Sequence, residues 1–245
     1  MVRVTIWNEF WHERHEDVPA QLYPSGIHEF LREKLSCDDF AITTSWLDKD
    51  EEQGLSDELL QNTDVLIWWS HCKQDVLRDD VALRVARRAH DGMGFIGLHS
   101  ARNGKPFRMM LGTDCSAVWR DWNEKTRVWC TSPAHPIAAG IPLSFDLEGE
   151  EMYGEHFDIP RPDDLVFVSW YAGGEIFRGG VTFTYGLGKI FYFHPGHERC
   201  RSFYNPHVIQ IIKNAIYWAN PVPKKDISGG RFVEPLEPIA NAERK

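Results

Sequence analysis

Residues 64–71 read DVLIWWSH, and residues 92–101 read GMGFIGLHSA. Each holds a continuous apolar run that ends in a polar or small group beside a histidine. Unbroken apolar runs are what strands buried on both faces of a parallel sheet require. Between them, Asp79-Asp80 opens a helix with Val81, Val85, Ala86 and Ala89 on one face, and Gly92 stops it. Upstream, Val2 to Trp7 reads as a strand. Ile27, Phe30, Leu31 and Leu35 take helical spacing after Pro24-Ser25-Gly26. Ala41 to Leu47 is strand-like, and Ser56 is placed to cap a short helix. Strand–helix alternation of this kind predicts an α/β fold with a mainly parallel sheet.

The second half changes character. Val166–Trp170, Val181–Thr184 and Lys189–Phe193 are closely spaced strands between glycine-rich turns, which predicts an antiparallel extension of the sheet. Pro206 to Ala219 reads as a helix. One α/β domain over residues 1–219 is expected, followed by a proline-rich extended tail over 220–245.

Composition narrows the function. The 245 residues carry a net charge of −9, which argues against a nucleic-acid partner, since that needs a basic footprint. No apolar run approaches the ~18–20 residues of a membrane span. The opening MVRVTIWNEFWHERHEDVP has no charged-then-apolar signal pattern, and the five cysteines are scattered without CxxC spacing. A cytoplasmic location with reduced thiols is expected. Ten tryptophans and eleven histidines are in excess, and they need placing.

Ligands of open α/β sheets bind outside the carboxyl ends of the strands. Those ends deliver Asn8, Glu9 and His12; then Ser70, His71 and Cys72; then His99, Ser100 and Arg102; then His194, His197 and Glu198. Histidine at four strand ends suits metal binding or proton transfer. Gly97-Leu98-His99-Ser100-Ala101 has the form of a nucleophile elbow that presents an imidazole. Pro195-Gly196 makes a tight turn that aims His194 and His197, with Glu198 able to orient one ring. Glu150 to His156 packs three carboxylates and a histidine together, from which Glu151 and Glu155 are candidates. No HExxH and no Cys/His finger spacing occurs, so a metal site must be assembled from distant strand ends. Zinc suits an imidazole and carboxylate set, with manganese, nickel or iron as alternatives. No nucleotide cofactor is evident. Trp7, Trp11, Trp68 and Trp69 are expected near the rim, where they could stack on a sugar; Trp46, Trp170 and Trp218 are expected in the core. Trp119, Trp122 and Trp129 stay open between pocket wall and subunit interface.

WNEFWHE (7–13), DVLIWWSH, GMGFIGLHSA, GTDCSAVWR (112–120), HPIAAGI (135–141), EEMYGEHFDIP (150–160), GGEIFRGG (173–180) and GKIFYFHPGHE (188–198) together resemble the ThuA-like trehalose-utilisation family. The resemblance runs in order from about residue 3 to Ala219. It implies a class I glutamine-amidotransferase-like fold, a flavodoxin-like three-layer sandwich. It also implies a role in the use of trehalose or related disaccharides. The wider superfamily carries a nucleophilic cysteine at the elbow and a His-Pro-x-Glu-like element on a later strand end. Here His99 holds the elbow and His194-Pro195 with Glu198 resembles the second element, so a functional glutamine amidotransferase is not expected.

The expected site has His99, His194, Glu198, Glu151 and Glu155 as catalytic groups. Glu9, Trp69, Arg102 and Tyr153 would bind substrate, and His71, His99 and His197 would hold a metal. The expected function is isomerisation or cleavage of a keto-glycoside by His/Glu acid–base groups, with or without a divalent metal. A non-catalytic sugar-binding or regulatory protein on the same scaffold is the alternative. A homo-oligomer is expected from the surplus aromatics.

Overall fold

The computed structural model describes residues 1–222 and 234–239. The expected tail therefore lies mostly outside the described residues. The strands are β1 (Val2–Asn8), β2 (Phe40–Trp46), β3 (Val65–Trp69), β4 (Gly94–Leu98), β5 (Val118–Cys130), β6 (Ser144–Gly154), β7 (Asp164–Tyr171), β8 (Ile176–Tyr185) and β9 (Gly188–Phe193). They form one nine-stranded sheet in the order β2-β1-β3-β4-β9-β8-β7-β5-β6. Pairing from β2 through β9 is parallel, and pairing from β9 through β6 is antiparallel. The helices are α1 (His12–His15), α2 (Asp17–Leu22), α3 (Ile27–Leu35), α4 (Asp57–Gln61), α5 (Asp79–His90), α6 (Lys105–Leu111) and α7 (Pro206–Ala219).

Alternate residues of a strand face opposite sides of the sheet. Val65, Ile67 and Trp69 of β3 therefore pack on one side with Leu31 of α3 and Val208, Ile211 and Ala215 of α7. Leu66 and Trp68 pack on the other with Val81, Val85 and Ala86 of α5 and Phe107 of α6. This is the three-layer α/β sandwich that the family resemblance implies, built on the buried strands expected from the apolar runs. Ser56 does cap α4, accepting from the Leu59 amide at 3.2 Å.

Two long strands, β5 and β6, were not foreseen. Their apolar and polar residues do not alternate cleanly, because the β5–β6 register shifts between Arg120 and Glu124 and again before Thr126. The tryptophans also sort differently than expected. Trp7, Trp68 and Trp69 are fully buried, with Trp7 stacked on Trp68 at 3.9 Å, so no ring face is open to a sugar. Trp170 is 37% exposed, because one face of the antiparallel extension has no helix over it.

The carboxyl end of β1 is locked by a small buried network. Asn8 Nδ2 donates to Glu13 Oε1 at 2.7 Å and approaches His28 Nδ1 at 3.0 Å, while the Ile27 amide donates to the same Glu13 oxygen. Burial holds the His28 imidazole down at about 4. An unfolded histidine takes up a proton near pH 6.5, so the unfolded chain binds the extra proton between those values. Stability is therefore lost as pH falls from about 6.5 to about 4, by up to about 1.4 kcal/mol per pH unit from this residue. Urea midpoints measured across that range should show this slope, and His28→Gln should flatten it.

Candidate functional site

The site forms where the parallel strands end. Glu9, just past β1, accepts from the amides of His71 at 2.8 Å and Cys72 at 3.0 Å and from Cys72 Sγ at 3.1 Å. Buried and committed to this turn, Glu9 shapes the loop after β3 and is not available to substrate, contrary to expectation. Partial desolvation and the Glu9 carboxylate beside it push the Cys72 thiol up to about 12, which disfavours a thiolate there.

His99 follows β4 with a positive φ of 53°, a conformation disfavoured for any residue with a side chain. Its ring is fully buried, and Nδ1 lies 3.2 Å from the backbone oxygen of His194. A carbonyl can only accept, so Nδ1 carries a hydrogen and Nε2 is the atom turned toward the cleft. Nε2 stands 3.1 Å from Glu151 Oε2, yet neither atom has a hydrogen-bond partner. Burial works to raise the Glu151 carboxyl, but His99, His197 and His71 around it prevail and hold it below the ordinary range.

Glu150 fixes the opposite wall. It is fully buried, and its carboxylate accepts from the amides of Gly196 (2.8 Å), His197 (3.0 Å) and Glu151 (3.0 Å) and from Ser202 Oγ (2.5 Å). Burial pushes this carboxyl up, and the nearby His99 and these donors pull it back. Trp69 Nε1 donates to the Gly196 carbonyl at 2.9 Å. Trp69 thus pins the turn after β9 from below and does not bind substrate. Gly196 has φ 138°, and a Cβ there would lie 2.4 Å from the Phe203 ring, so the turn needs glycine.

His197 is carried by that turn. Burial drives its imidazole down to about 3, which keeps it a neutral nitrogen donor. His71 Nδ1 lies 2.9 Å from Glu198 Oε2, which leaves its other nitrogen free. Burial opposes protonation of His71, but the bond to Glu198 and the surrounding carboxylates outweigh it and raise this group. The same histidine holds Glu198 well below the ordinary carboxylate range in spite of burial. Ligand-type atoms of His71, His99, Glu151 and His197 all lie within 4.8 Å of one another. Three imidazoles and a carboxylate are a donor set that suits zinc, manganese or iron. The pair of His99 Nε2 and Glu151 Oε2, buried and without hydrogen-bond partners, fits that set, because both are ligand atoms that a cation could bridge.

A cleft of about 440 Å³ opens over this cluster. His12 lines it, with Nδ1 2.8 Å from Glu16 Oε1 and 3.5 Å from Glu198 Oε1, and with its buried Nε2 unpartnered. Ser100 and Tyr153 share a short hydroxyl–hydroxyl hydrogen bond, and the Arg102 guanidinium lies 4.4 Å over the Tyr153 ring. The structure thus brings together His71, His99, Arg102, Glu151, Tyr153, His197 and Glu198 from the expected set.

Glu155 and His194 stand apart from the cleft. Glu155 pairs with Arg178 at 2.9 Å and accepts from the Phe157 amide, so its charge is spent on the β6–β8 side. The His194 ring is fully buried with Nδ1 2.9 Å from Tyr171 Oη, and burial holds it well below the ordinary range. Its contribution is the backbone carbonyl that orients His99. Trp119, left open between pocket wall and interface, lines the cleft from β5 together with Asp121, which was missed as a site residue. The broken register of β5 removed the alternation that would have marked Asp121.

No helix among the described residues is long and apolar enough to cross a membrane. The family model ThuA, described as trehalose utilisation, matches residues 3–219. A search of curated proteins found no match. Among solved structures, a ThuA-like protein from Bacteroides uniformis superposes with a TM-score of 0.63 at 14% identity, covering 89% of this chain and 91% of that one. A protein from Salmonella typhimurium described as cytoplasmic gives 0.60 at 12% identity, covering 89% and 100%. A GMP synthase protein from Thermoplasma acidophilum gives 0.51 at 16%, covering 89% and 93%. These likenesses establish the amidotransferase-like fold.

Proposed function

This chain belongs to the ThuA trehalose-utilisation family, and from that premise we propose that it is an enzyme that isomerises or cleaves a keto-glycoside with one divalent cation. The observation that supports this most is the buried, unsatisfied pair of His99 Nε2 and Glu151 Oε2. His71, His99, Glu151 and His197 would hold the cation, and it supplies Lewis acidity toward a carbonyl oxygen when bound.

The remaining groups move protons. A hydrogen next to a ketone is acidic enough for an imidazole to remove. His12 has the geometry of such a base: Glu16 and Glu198 orient Nδ1, and Nε2 is uncommitted in the cleft wall. The electron pair left on carbon moves to the ketone oxygen. Returning that proton to the former carbonyl carbon, while the neighbouring hydroxyl gives its proton to the former ketone oxygen, completes an isomerisation; expelling the glycosidic oxygen, which takes up a proton, as the electron pair returns from the enolate oxygen completes a cleavage. The elbow presents histidine in place of cysteine, so acyl transfer from glutamine has no nucleophile at this position.

Elemental analysis of the purified protein is expected to find about one divalent ion per chain, as a single four-ligand cluster implies. Chelation should abolish turnover of 3-keto-trehalose, and added zinc or manganese should restore it. Full turnover by a metal-free His99→Ala variant refutes the proposal. Sugar binding without any turnover would favour the non-catalytic alternative.

A further inference from the structure

The bottom of the cleft is occupied by the ligand cluster, but its outer wall comes from the antiparallel half of the sheet. Trp119 and Asp121 of β5 both line the cleft, two residues apart on one face of the strand. Arg120 between them points to the other face, where it pairs with Glu124 and Glu175. After Asp121 the strand breaks register against β6, and Asn123 takes a positive φ of 51°. Bulges of this kind re-aim side chains beside functional sites.

Two features of this wall have no structural explanation. Trp119 is 64% exposed although it faces a concave site. Asp121 differs from the other three carboxylates of the cleft. Glu16 is paired with His12 and Arg199, Glu151 faces His99, and Glu198 is bound by His71. Asp121 makes no hydrogen bond or ion pair among the described residues. An open indole face beside a free carboxylate offers an apolar platform and two strong acceptors at adjacent positions. That combination complements a sugar ring, whose C–H face is apolar and whose rim carries hydroxyl donors.

We infer that Trp119 and Asp121 form a binding subsite for an uncharged sugar ring, on the wall facing the ligand cluster. The indole stacks on the ring, and the Asp121 carboxylate accepts from its hydroxyls. This inference rests on the carbohydrate reading of the cleft but not on its catalytic chemistry. A sugar that lacks a ketone can occupy the subsite without reacting.

Isothermal titration of the full chain with trehalose tests it apart from turnover. Trp119→Ala and Asp121→Asn should each weaken binding roughly tenfold, a loss of about 1.4 kcal/mol. Neither side chain is part of the buried core, so folding should be unaffected, and thermal melting checks this. Trp122→Ala is the control, since Trp122 is 76% exposed but lies outside the cleft, and its affinity should match wild type. Unchanged affinity in the Trp119 and Asp121 variants overturns the inference, as does a wild type that does not bind trehalose. Failure of the proposed reaction shows separately, as absent keto-sugar turnover in a protein that still binds trehalose.

Discussion

Glu151→Gln is expected to move stability in opposite directions with and without a cation. In the metal-free protein, Glu151 Oε2 and His99 Nε2 lie 3.1 Å apart, and neither atom has a hydrogen-bond partner. A glutamine amide can donate its own hydrogen across that gap, giving the two unpartnered atoms a hydrogen bond of about 1 kcal/mol. The metal-free variant should therefore unfold at a higher urea concentration than wild type. The same substitution removes the one charged donor of the four. Cation affinity should fall at least a hundredfold, beyond the 10–100-fold losses typical of outer-shell changes. At a cation concentration of about 100 times the wild-type Kd, the wild type gains about 2.7 kcal/mol that the variant lacks. Urea titrations with zinc and with chelator give both comparisons, and turnover should be lost in the variant. A Glu151→Gln protein that is destabilised without metal, or that keeps its cation, would show that the pair is a simple ion pair.

Glu150→Ala is expected to cost the most stability of any single change in the site. Removing this carboxylate strands three backbone amides and the Ser202 hydroxyl in a fully buried position. Each unsatisfied donor costs about 1–3 kcal/mol, with partial relief from relaxation, so the total should be roughly 3–5 kcal/mol. For a chain of this size that lowers the melting temperature by roughly 10 °C or more. Glu150→Gln should also be damaging. Each carboxylate oxygen receives two donors, so an amide nitrogen on either side would meet two hydrogens head-on. A variant melting within about 2 °C of wild type would mean that the turn after β9 is held by other contacts.

Much of the parallel half was legible because burial on both faces leaves a plain mark in the chain. The runs at β3 and β4, the capped α4 and the one-sided α5 all follow from local patterns. The strand-end rule then pointed to His71, His99, His197 and Glu198, which the structure brings together with Glu151. The errors have a common cause. Glu155 and Glu151 are equally acidic in the sequence, and only the partner strand decides that one meets Arg178 and the other His99. Trp69 and Trp119 look alike as residues near strand ends, yet one lies under the rim and the other stands in it. Glu150 reads as one more surface carboxylate until the amides of residues 196 and 197 are seen to point at it. Such long-range pairings leave no local signature.

The pairing of β4 with β9 has a consequence for how the protein forms. Phe95 meets Ile190, and the entire antiparallel arm lies between them in the chain. Parallel pairing across so long an intervening segment carries a large closure cost, so that junction is expected to zip late, after the segment condenses. His99 emerges on one side of the seam and His197 on the other, with Glu151 supplied by the arm itself. The four would-be ligands therefore come within reach only when the whole sheet is complete. Nascent or partly folded chains lack the clustered donors, so a cation, if the site takes one, would be expected to load only into finished molecules.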